Sequence, residues 1–79
     1  MTHTPHELHD EFPDAGEAIH RLKMEDAHFA RLSERYHHVN REIHRIEVEV
    51  EHTSDQYLED LKKQRLALVD EIGTLIRRA

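Results

Sequence analysis

The chain has 79 residues, 35% of them charged, no cysteine and a formal net charge of -6. That length allows one small domain with little apolar surface to bury, and the missing cysteine excludes disulfides and thiolate zinc sites as staples. Acids outnumber bases 17 to 11 and no segment is strongly basic, which disfavours phosphate-backbone binding; no apolar run approaches the roughly 20 residues of a membrane span.

Residues 1–13 read as a flexible or short-helical arm, and residues 1–12 are too polar and acidic for a secretory leader, so a cytoplasmic protein is expected. Thr4 can cap a helix with Pro5 at its first position, and Leu8 and Phe12 would then share a face. Pro13 stops it. Residues 14–79 read as one helical domain. Asp14 reopens a helix with a weaker apolar stripe of Ala15, Ala18, Ile19 and Leu22, and this stripe falters at Glu25-Asp26. The segment either continues straight into the next helix or folds back.

A long helix is expected over about residues 27–51, without Gly or Pro and with Arg, Glu, His and Asn on its outer positions. Phe29, Leu32, Tyr36, Val39, Ile43, Ile46 and Val50 recur three and four residues apart along it. Residues 52–54 form the turn, with Ser54 or Thr53 as cap and Asp55 at the positive helix end. A second helix over 55–78 resumes the rhythm at Leu58, Leu61, Arg65, Leu68, Ile72, Leu75 and Ala79. Folded about the turn, the rungs pair from Val50 with Leu58 to Phe29 with Ala79. The expected fold is therefore all-α, an antiparallel helical hairpin of coiled-coil type with a short helical N-terminal arm.

Two features exceed a plain hairpin. Leu66, Val69, Gly73 and Ile76 form a second stripe on the last helix, and one partner helix cannot cover both stripes. Together with Ile19 and Leu22, these residues are the expected partner-binding or oligomerisation surface, and Gly73 would admit a close neighbour. A homo-oligomer, first of all a dimer, or docking on a larger protein follows. Arg65 is the one charged rung; facing Ile43, it would offer its guanidinium to Glu42 or Glu47 and fix register. On that view Arg65→Leu would raise stability.

Nine histidines invite a metal reading. His3, His6 and His9 could share a helical face, and His37 and His44 an outer strip, but neither set has an evident further ligand. No metal or other cofactor is expected. There is also no phosphate-binding loop and no nucleophile with a base at motif spacing, so an enzyme is not expected.

Several strings in this order resemble the YdcH-like family of small bacterial proteins of unknown function: His28-Phe29-Ala30-Arg31-Leu32, Ile43-His44-Arg45-Ile46-Glu47, and Leu61-Lys62-Lys63-Gln64-Arg65-Leu66-Ala67-Leu68 followed by Asp70-Glu71-Ile72. The resemblance spans about residues 18–77. It departs at Val69, where the family often has Lys, and at Tyr57, where it often has an acid. What it implies is a bacterial cytoplasmic helical hairpin without catalytic residues. The functional expectation is a non-enzymatic, self-associating protein–protein interaction module; the alternative is a regulator contacting nucleic acid or its machinery through Lys62, Lys63, Arg77 and Arg78.

Overall fold

The computed structural model describes residues 5–49 and 54–79. The order is α1 (Leu8–Glu11), α2 (Gly16–Glu25), α3 (Ala27–Glu49) and α4 (Asp55–Arg78), all helical. Val50, His52 and Thr53 lie outside the described residues. Ser54 caps α4, its Oγ accepting from the Tyr57 amide at 3.1 Å, so one orphan donor of the first turn is satisfied. Arg77 and Arg78 stand in the last turn, where the helix dipole favours cations.

α3 and α4 pack antiparallel. Residues from opposite ends of the two helices meet in order: His28 Nε2 lies 3.2 Å from Glu71 Oε2, Arg65 bonds Asn40, and Lys62 Nζ lies 3.3 Å from Glu47 Oε2. A 24-residue helix is about 36 Å long, and the molecule's longest extent of 40 Å shows the hairpin setting its long axis. The seam is dry. Phe29, Tyr36, Ile43 and Ile72 are completely buried, Leu32, Val39, Ile46, Leu61 and Leu68 nearly so, and Leu58 and Leu75 pack against them. Each fully buried side chain of this size stabilises the fold by about 2 kcal/mol.

Ala79 is exposed while Phe29 is fully buried. Before Phe29 the chain has a sharp boundary at Asp26, whose backbone is extended at φ -125 and ψ 106. Its carboxylate accepts from the amides of His28 at 3.0 Å and Phe29 at 3.2 Å, capping α3 and letting the chain turn. α2 thus folds back against α3 and α4, burying Ile19 and tucking Leu22 against the same core. The faltering stripe at Glu25-Asp26 is the hinge of this return.

The arm also joins the core. Leu8 is buried and Phe12 packs against the cluster. Its helix begins later than Thr4-Pro5 would allow: α1 starts after Glu7, whose amide donates to Asp10 Oδ2 at 3.2 Å. His6 takes the left-handed conformation, φ 63, which a helix cannot contain, and α3 takes up the carbonyls of Pro5 and His6.

Candidate functional site: the groove that holds the arm

Tyr36 and Asn40 lie one turn apart on α3 and face the same side. The buried Tyr36 hydroxyl donates to the carbonyl of His6. Asn40, only 1% exposed, donates from Nδ2 to the carbonyl of Pro5 at 2.8 Å. On its other side Asn40 Oδ1 accepts from Arg65 Nη1 of α4 at 2.9 Å. One amide therefore ties three segments together: arm, α3 and α4. Glu7 Oε2 adds an exposed contact, 3.1 Å from His37 Nδ1.

Arg65 does not serve the carboxylates expected of it. Glu42 takes Arg45 at 2.6 Å, and that hydrogen bond holds the Glu42 carboxyl below its ordinary value; Glu47 takes Lys62. The guanidinium turns to Asn40 because a neutral amide beside the seam offers an acceptor without the desolvation of a second charge. Asn40 was expected on the outer surface with the other polar residues of α3, and the structure buries it. The available signal was its position four residues after Tyr36 and beside Val39, the only asparagine in the chain.

At the other end of the groove Gly73 is buried on α4. A Cβ there would meet Cε1 and Cζ of Phe12 at 3.3 Å. The close neighbour that Gly73 admits is therefore the arm's own phenylalanine. Burial pushes the Tyr36 phenol up to about 12, with Glu11 as the next contributor.

The six residues expected to face a partner divide unevenly. Ile19 is buried, Gly73 lies under Phe12, and Leu22, Val69 and Ile76 pack against the core. Leu66 alone of the six is mostly exposed, at 61%, because it stands two helical turns, about 10 Å, from the notch that Phe12 fills. Val48 is likewise exposed.

The remaining candidates spread out. Lys62 pairs with Glu47, Arg77 donates to Thr74 Oγ1 at 3.3 Å, and about 22 Å of helix separates the two bases. His6 Nδ1 lies 3.0 Å from Glu11 Oε1, while His37 and His28 face Glu7 and Glu71. His3 lies outside the described residues. Among the described residues no three His, Asp or Glu side chains converge in a way that could hold a metal ion, and no helix is long and apolar enough to cross a membrane.

A family model described as a protein of unknown function (DUF465) matches residues 29–76. Neither a curated protein nor a solved structure matches the chain. The matched stretch contains Tyr36, Asn40, Arg65 and Gly73, the receiving side of the groove, whereas the arm lies outside it.

Proposed function

The chain belongs to the DUF465 family of proteins of unknown function, in which the YdcH-like proteins fall, and from that premise we propose that it is a non-enzymatic protein–protein interaction module. The observation that carries this reading is the way α3 holds the arm: Tyr36 and Asn40 take the carbonyls of His6 and Pro5. Hydrogen bonds to carbonyls hold a peptide as a chain, whatever its side chains, and apolar notches add specificity. Leu8 and Phe12 fill those notches.

Self-association belongs to the same proposal, through the open edge of α4 around Leu66, with coiled-coil packing within the hairpin and the bacterial cytoplasm as the setting. Light scattering on the eluting protein tests it. A species of twice the 9.4 kDa chain mass that Leu66→Glu converts to a monomer supports self-association; a native monomer across the accessible concentration range removes it and leaves the groove untouched. For the nucleic-acid alternative, the separation of Lys62 from Arg77 gives no concentrated positive field.

A further inference from the structure

We infer that the groove of Tyr36, Asn40 and Gly73 is a receptor site for an acidic protein segment, and that the arm is its built-in competitor. This rests on the interaction-module reading and names its partner class. The partner carries two apolar side chains four residues apart on a helical turn, the second aromatic, with free backbone carbonyls just before the turn.

Three observations support it. First, the arm displays this chemistry in place: Leu8 and Phe12 are the apolar pair, Pro5 and His6 supply the carbonyls, and Glu7, Asp10 and Glu11 supply the charge. Second, the receiving side presents basic groups to the arm: His37 Nδ1 lies 3.1 Å from Glu7 Oε2, and the guanidinium of Arg65 stands beside Tyr36 and Asn40. Third, the receiving residues lie within the stretch that the family model matches, and the arm lies outside it.

The tether sets the regulation. Phe12 and α2 are joined by residues 13–15, the last of them the N-cap position of α2, so the arm is attached by a short turn. A short tether gives the arm an effective concentration on the order of millimolar. A free segment with equal contacts then binds measurably only when the arm's anchors are weakened or when its own anchors are better.

The test uses the full chain and a fluorescent peptide with the sequence of residues 5–13, followed by anisotropy. Leu8→Ala with Phe12→Ala should bind the peptide at least tenfold more tightly than the native chain. Adding Asn40→Leu should lose at least fivefold of that gain. Circular dichroism establishes that each variant is helical, and Phe12→Ala alone replaces the double variant if that one unfolds. Equal affinity for native and weakened-arm chains, or no binding to any folded variant, overturns the inference. So does conversion of a native dimer to monomer by the peptide, which would make the occupant the arm of a second copy. A self-associating chain that ignores the peptide would lose this inference and keep the broader reading.

Discussion

Tyr36 reaches across 30 residues of sequence to donate its phenolic hydrogen to the carbonyl of His6. The bond is made by a completely buried side chain to a residue in the left-handed backbone region. It fixes where the arm crosses α3, and it makes the arm part of the protein's acid–base behaviour.

Stability should fall at high pH for this reason. The folded Tyr36 phenol, pushed up to about 12 by burial, is protonated where an unfolded tyrosine, near pKa 10, has already ionised. The folded state then holds the extra proton, so this contribution is complete below about pH 10 and is lost as pH rises through the folded value. At about 1.4 kcal/mol per pKa unit, the loss is at most on the order of 3 kcal/mol. Thermal unfolding between pH 9 and 12 checks it: the decline should be markedly shallower in Tyr36→Phe.

Arg65→Leu should destabilise the protein, opposite to what a seam position alone suggests. Removing the guanidinium leaves Asn40 Oδ1, almost wholly buried, without its donor, and an unsatisfied buried polar atom costs about 1–3 kcal/mol. In urea melts Asn40→Leu with Arg65→Leu should be less destabilised than the sum of the two single variants, because the amide and the guanidinium are removed together.

The hairpin was legible in the sequence because its information is local and periodic. The helix over 55–78 coincides with α4, and of the ladder residues Phe29, Leu32, Tyr36, Val39, Ile43, Ile46, Leu61, Leu68 and Ile72 are buried. The groove was not legible for two reasons. Asn40 looks like any polar residue of an exposed helix face, and nothing periodic reports that a segment 35 positions earlier will cover it. The second stripe did signal a missing neighbour. Its occupant is decided by the turn at Asp26 and by Phe12, a single aromatic side chain, so pattern could show the vacancy and not what fills it.

Gly73→Ala measures the fit of Phe12 directly. Alanine is about 1 kcal/mol better than glycine inside a helix, yet its Cβ would sit 3.3 Å from two ring carbons. In the native chain the gain should therefore be well below 1 kcal/mol. In a Phe12→Ala background the full gain should return, and the difference between the two urea midpoints reports the contact.

Ser33 carries the reverse case. It is 6% exposed on α3 and its buried Oγ has no hydrogen-bond partner. Ser33→Ala removes an unsatisfied hydroxyl and improves helix propensity, so the midpoint of thermal unfolding should rise, by about 1 kcal/mol in stability.

The seating of the arm across the hairpin is the central claim, and paramagnetic relaxation tests it most directly. A nitroxide on Glu11→Cys, unique because the chain has no cysteine, should broaden the amide signals of Asn40 and Gly73 as well as those of its own sequence neighbours. The effect should persist when labelled chain is diluted with unlabelled chain. Broadening confined to the arm and α2 would contradict it.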